Sequence, residues 1–210
     1  MRQALRDLAA SGQDLPAGVD PALLTLGNVR TDIPSIDLDR RISLWKVAAM
    51  IAEGIGCRQA NHPVHAMRCR GQAVAEAYAQ MREIVAEKMA AGCDSKHSWQ
   101  DRALRFGSAL HTLQDSYCTG HAQRIDNADP HAPIIDMFTY PSHQHPIISK
   151  KDDPWQDRAK TAFKPEAAAA ISATVAALKI FVAQSPGAIE GFMEQYLSFR
   201  ADIAKAHHPD

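Results

Sequence analysis

The sequence predicts an all-α, single-domain helical bundle covering residues 1–210. Three observations carry this reading. Apolar residues recur at three- and four-residue steps over several long stretches. Aromatic content is only 6% while alanine is frequent, which favours helix over sheet. No alternating apolar–polar run is longer than a few residues, and 210 residues fit one domain with a sizeable core.

The elements follow in order. About a turn of helix-like sequence comes after Met1. Asp20-Pro21 reads as a helix start, with a capping side chain before a first-position proline. A short helix is expected to run to Gly27, followed by the polar loop GNVRTDIPSIDLD. Residues 42–55 are apolar and of helical length, closed by Gly54 and Gly56. In RQANHPVHAMRCRGQ, Pro63 and Gly71 force part of the chain out of helical geometry.

Residues 72–91 form an amphipathic helix with Val74, Ala77, Tyr78, Met81, Ile84, Val85, Lys88 and Met89 on one face, ending at Gly92. Ser98-Trp99-Gln100-Asp101 resembles a capping box and opens a helix with the stripe Trp99, Ala103, Phe106, Leu110, Leu113, Tyr117. Residues 119–163 are rich in Pro, His and Asp without sustained periodicity, and read as a long functional loop. Pro165 opens an Ala-rich helix to about Ala183. Ser185-Pro186 caps a last helix whose apolar face is Ile189, Phe192, Met193, Tyr196, Phe199 and Ile203.

Composition excludes several function classes. With 23 basic and 24 acidic residues the net charge is −1, so the chain lacks the basic excess of a general nucleic-acid binder. Cys57, Cys69, Cys93 and Cys118 form no C-x-x-C pair, which argues against a zinc ribbon or a thioredoxin-type motif and for free thiols in a reducing compartment. The start MRQALRDLAASGQDLP lacks the apolar core of a signal peptide, so residence in the cytoplasm or export by a leaderless route is expected. The apolar stretch 167–183 is broken by Lys179 and reads as too short to span a bilayer. No His-Asp dipeptide occurs, against an HD-type phosphohydrolase, and no C-x-x-C-H, against a c-type haem protein.

The ten histidines point to metal. In LHTLQDSYCTGH, His111 and Asp115 stand four apart on a helix, so their Cβ atoms lie about 5–6 Å apart on one face. One ion can take an imidazole and a carboxylate from that face. Ser108, one turn earlier, is small and leaves room for a ligand. His121 follows past Gly120, and His131, His143 and His145 lie further on. A lone His-x3-Asp pair is most often a salt link; the adjoining buried stripe and the third histidine favour metal.

The run L-H-x3-D-x5-H, with Gly107-x3-His111 before it and Asp115-Ser116-Tyr117 within it, resembles the zinc-dependent phospholipase C and S1/P1 nuclease superfamily over about residues 27 to 155. That resemblance implies an α-helical bundle with two to three zinc ions in a cleft and metal-assisted phosphodiester hydrolysis. It implies a further histidine before the central helix, from His62 or His65, and points to His65 through its similarity to the His-x-Met-Arg turn of bacterial members. It implies an early aspartate as ligand or water activator, which GNVRTDIP supplies as Asp32, with Asp37 and Asp39 as alternatives. It implies a histidine and an acid that complete a second half-site with His121. Those are read as His145 and Asp152, with His143 and Asp153 as alternatives. The His-x3-acid spacing usual there is absent, since Ile148 stands four residues before Asp152. The N-terminal Trp that holds a third zinc in secreted members is also absent, leaving Asn28, backbone groups or water for that ion.

The metal ligands expected are therefore Asp32, His65, His111, Asp115, His121, His145 and Asp152, with Asp32 also catalytic. Asp115 is the natural bridge between two ions about 3.5–4 Å apart. The expected substrate is a phospholipid or other phosphodiester, met through transient contact with a membrane surface, and not a specific nucleic-acid sequence. Arg30 and Arg68 offer charge near the cleft, and Met67, Phe138 and Tyr140 offer apolar surface.

Overall fold

The long apolar stripes fold as their spacing requires. In the computed structural model, residues 1–32, 63–139, 153–157, 159–200 and 202 are described. Among them six helices and one small sheet follow in the order α1 (Arg2–Ala10), α2 (Pro21–Asp32), α3 (Val74–Cys93), α4 (Trp99–Asp115), β1 (Ala122–Arg124), β2 (Ile134–Met137), α5 (Pro165–Ala183) and α6 (Ile189–Tyr196). A 3-10 turn at Pro186–Ala188 leads into α6. The class is mainly α.

Helix α4 is the central element, touching α2, α3 and α5. Its predicted stripe is the one it buries: Ala103, Phe106, Leu110 and Leu113 are inaccessible. Met81, Val85 and Met89 of α3 and Ala173, Ala177, Leu178 and Phe181 of α5 join the same core. Phe106 and Phe181 meet at 4.8 Å between ring centres. Each large side chain buried this way stabilises the fold by roughly 1.5–3 kcal/mol before entropy is counted. Ser98 caps α4 as expected, its Oγ accepting from the Asp101 N–H at 3.2 Å. Arg102, one turn into α4, donates from Nε to the Gly92 carbonyl at 2.9 Å and so satisfies the end of α3.

The structure corrects several expectations. Helix α1 runs for nine residues, not one turn. Helix α2 does not stop at Gly27 but continues to Asp32. Gly27 sits where α2 crosses α4: a Cβ there would lie 2.1 Å from the Leu104 carbonyl oxygen, and one on Gly107 would lie 2.2 Å from the Leu24 carbonyl oxygen. Glycine at these two positions permits backbone contact rather than ending a helix. Gly92 likewise lies inside α3, where Phe106 fills the space a Cβ would need.

Within residues 119–163, β1 and β2 pair antiparallel, with Ala122 opposite Met137 and Gln123 opposite Asp136. A register shift follows between Gln123 and Arg124. The sheet lies against the core, all four β2 residues being buried. Helix α6 stops at Tyr196, and Phe199 stacks on Tyr78 from the following segment.

Helix α5 is long and apolar enough by length and composition to cross a membrane, unlike its reading from sequence. Here it packs on α1 and α4, with Ala169, Ala173, Ala177 and Phe181 buried. Cys69, Cys93 and Cys118 form no disulfide among the described residues. Residues 42–55, Cys57 and Ile203 lie outside the described residues.

Candidate metal centre

The centre is built from α4 and two chain segments laid against its C-terminal half. His111 and Asp115 project from consecutive turns of α4, and the His111 Nε2 lies 2.9 Å from Asp115 Oδ2. His65 arrives from the segment before α3. Residues 63–65 make a single 3-10 turn, which Thr112 anchors by donating from Oγ1 to the Val64 carbonyl at 2.7 Å. The next residue, Ala66, is buried with φ +52°, a left-handed conformation that a non-glycine residue adopts at a cost. That bend sets the His65 ring edge-on to His111, with ring centres 5.1 Å apart at 83°.

His65 Nδ1 is then 3.1 Å from His111 Nε2 and 3.1 Å from Asp115 Oδ2. Three donor atoms from three side chains thus stand 2.9–3.1 Å from one another. Zinc–ligand bonds of about 2.0–2.1 Å at tetrahedral angles place neighbouring donors about 3.3 Å apart, so the observed triangle fits one such ion. Among the described residues, His65, His111 and Asp115 are those that could hold a metal.

His121 reaches the same carboxylate from the other side. After α4 the chain turns through Cys118 N–H to the Asp115 carbonyl and His121 N–H to the Cys118 carbonyl, both at 2.9 Å. Its Nδ1 lies 3.6 Å from Asp115 Oδ2 and 2.6 Å from the backbone carbonyl of His65. A carbonyl only accepts, so Nδ1 carries the proton and Nε2 the lone pair in the neutral ring. His65 therefore contributes twice, a side-chain nitrogen to the donor triangle and a backbone carbonyl that fixes the His121 tautomer.

Electrostatics match the geometry. Burial would push the Asp115 carboxyl upward, but the charges of His111 and His121 and hydrogen bonds from His111 and His65 outweigh it and hold the group well below the usual carboxylate range. Asp115 is thus an anion at neutral pH. His65, His111 and His121 are only 6–8% exposed, while the Asp115 side chain is the most open at 17%.

Of the other expected site residues, Asn28, Met67 and Arg68 have described side chains. Asp32 is the last residue of α2, and its neighbour Thr31 bonds Ser108, one turn before His111, at 2.7 Å. Asn28 donates to the Gln114 Oε1 at 3.1 Å, which ties α2 to α4. Arg68 is buried, donating to the carbonyls of Met137 at 2.9 Å and Gln72 at 3.1 Å, so it braces the fold rather than facing a phosphate. Met67 is core. His62, Asp37, Asp39, Tyr140, His143, His145 and Asp152 lie outside the described residues. The sequence reading missed the polar contacts of Thr31 and Lys88 with Ser108; the signal available was a lysine on an otherwise apolar helix face. No family model, curated protein or solved structure matches the chain.

Proposed function

We propose that the chain is a zinc-dependent phosphodiester hydrolase of the phospholipase C type, acting on a phospholipid head group. The observation that carries the reading is the triangle of His65, His111 and Asp115 donors at 2.9–3.1 Å. Two imidazoles and one ionised carboxylate suit zinc and leave a coordination position for a water or substrate oxygen. Bound zinc supplies Lewis acidity, polarising a phosphoryl oxygen and lowering the pKa of a water toward neutrality.

The chain's own residues do the rest. Asp115 holds its negative charge at the centre and has a second oxygen for a further ion. His121, oriented by the His65 carbonyl, offers Nε2 to that ion, with His145 and Asp152 as its proposed companions. Asp32, carried by α2 to the neighbourhood of Ser108, is assigned to orient the attacking water and accept its proton. The net charge of −1 favours a single phosphodiester at a membrane surface over a polyanionic strand.

A second reading has one observation in its favour. The three histidines are nearly enclosed, as in sites that hold a fold together rather than turn over substrate. A zinc-stabilised, non-catalytic helical module would have that property.

Metal analysis of the purified protein, paired with a screen of phospholipid micelles against single-stranded DNA and RNA, separates these readings. His111→Ala and Asp115→Ala are each expected to lose bound zinc and turnover together. Full zinc and full turnover in either variant would remove the site. Zinc without hydrolysis of any phosphodiester selects the non-catalytic module, and cleavage of nucleic acid alone selects a nuclease.

A further inference from the structure

One cation sits beside the metal donors and makes no ion pair among the described residues. Lys88 occupies a position on the apolar face of α3, between Val85 and Met89, both fully buried. Its ammonium donates to Ser108 Oγ of α4 at 2.8 Å. Ser108 Oγ lies 2.7 Å from Thr31 Oγ1, which in turn donates to the Gly27 carbonyl at 3.1 Å. The proton directions are fixed from both ends. An ammonium only donates and a carbonyl only accepts, so the chain runs from Lys88 through Ser108 and Thr31 to Gly27. A lysine whose stem merely covered apolar surface would extend its head to water. This one is half-buried and tethered, and an ammonium with three N–H groups spends only one of them on Ser108.

The tether fixes where that charge lies. Ser108, His111 and Asp115 follow one another at steps of three and four residues along one face of α4. Ser108 is one turn from His111 and two from Asp115, so Lys88 stands about 5–10 Å along the helix axis from a ligand seated at the metal donors. Burial lowers the Lys88 pKa, and Glu87 only partly opposes it. A desolvated cation of this kind gains from a negative partner.

From this placement we infer that Lys88, held by Ser108 and Thr31, receives a second anionic oxygen group of the substrate, which makes the substrate a phosphodiester bearing a further negative group and not a choline ester with its fixed positive charge. This rests on the phosphodiesterase reading and narrows it. The spacing suits a head group in which a second phosphate is joined to the scissile one through a ring. A phosphorylated inositol lipid has that form, and a nucleotide chain shares its chemistry.

The test measures kcat/KM for phosphatidylinositol 4-phosphate and for phosphatidylcholine in micelles of a neutral detergent, with zinc content recorded alongside. The wild type is expected to prefer the first. Lys88→Met is expected to reduce that preference roughly tenfold, the usual scale for a charge-assisted hydrogen bond, with zinc content unchanged. Lys88→Arg should retain most of it. Should Lys88→Met not fold, Ser108→Ala, which removes only the tether, is read in the same way. A parallel pair, thymidine 3′-(4-nitrophenyl phosphate) with and without a 5′-phosphate, identifies the source. A Lys88-dependent preference confined to this pair keeps the anion site and assigns it to nucleotides. A preference for phosphatidylcholine, or one that Lys88→Met leaves intact while zinc and turnover persist, overturns the Lys88 assignment alone. A wild type that binds no zinc overturns the metal reading, one that binds zinc but cleaves none of these compounds overturns the phosphodiesterase reading, and either takes this inference with it.

Discussion

Arg124 is 3% exposed and makes no ion pair among the described residues. Its guanidinium donates instead to the carbonyls of Ser116, Ala132 and Tyr196 and to the Ser116 hydroxyl, and it lies 3.7 Å over the Tyr117 ring. Arg124→Met should leave the buried Ser116 and Ala132 carbonyls without this donor and the Tyr196 carbonyl with only the Tyr117 hydroxyl, and cost about 3–5 kcal/mol, read as a lowered urea midpoint at unchanged slope. Its neighbour carries a pH signature. Burial pushes the Tyr117 phenol from 10.0 up to about 12, against the pull of Arg124. The unfolded chain then releases this proton first. The stabilisation is fully present below pH 10 and is lost as pH rises through about 12, a fall of about 2–3 kcal/mol. Tyr117→Phe should flatten the stability curve over that window. At this scale His111 and Asp115 were legible because a four-residue step on a helix is local information. Arg124 was not, since its acceptors are backbone carbonyls that only the fold collects. His65 needed a family resemblance to be chosen over His62, because nothing local reveals the Val64–Thr112 anchor or the left-handed Ala66.

The α2–α4 crossing decides how the centre is held from the amino-terminal side. Gly27 and Gly107 each meet the backbone of the opposite helix, which has no flexible end to move aside. Gly27→Ala and Gly107→Ala should therefore each cost about 1–3 kcal/mol or more by forcing the helices apart. In Gly107→Ala the Thr31–Ser108 bond should be lost as well. Gly191 lies inside α6, where an added Cβ would meet nothing within 4 Å, and gives the opposite sign. Gly191→Ala should stabilise by about 0.5–1 kcal/mol, through helix propensity and a less free unfolded chain. Thermal melts of the three variants side by side check both directions. Sequence reading treats a glycine near a polar run as a terminator, and Gly27 shows the limit of that rule. Its role depends on a partner helix more than 70 residues away. The strands were illegible for another reason. β1 has three residues and β2 four, too few for an alternating pattern to emerge, and β2 is buried on every residue.

For the whole molecule, metal and stability should be one measurement. If the donor triangle binds zinc in the folded state and not in the unfolded, zinc at 100 times its dissociation constant adds about 2.7 kcal/mol. Dialysis against a chelator should lower the melting temperature of the wild type, and zinc should restore it. Asp115→Ala should melt at the same temperature with or without chelator. The helical class and the central role of α4 were readable because its stripe is long and regular, whereas the assembly around its end comes from segments without period. The centre also sets an order of events in time. His111 and Asp115 are four residues apart and meet once a single turn of α4 has formed, whereas His65 is 46 residues from His111. Closing those two loops costs about 1.2 and about 3.4 kcal/mol of chain entropy beyond a common constant. The larger share of the entropic burden of completing the triangle falls on His65. During refolding the α4 pair should therefore capture an ion early and loosely, and tight retention should wait for the long loop to close, giving zinc uptake a fast weak phase followed by a slower locking phase.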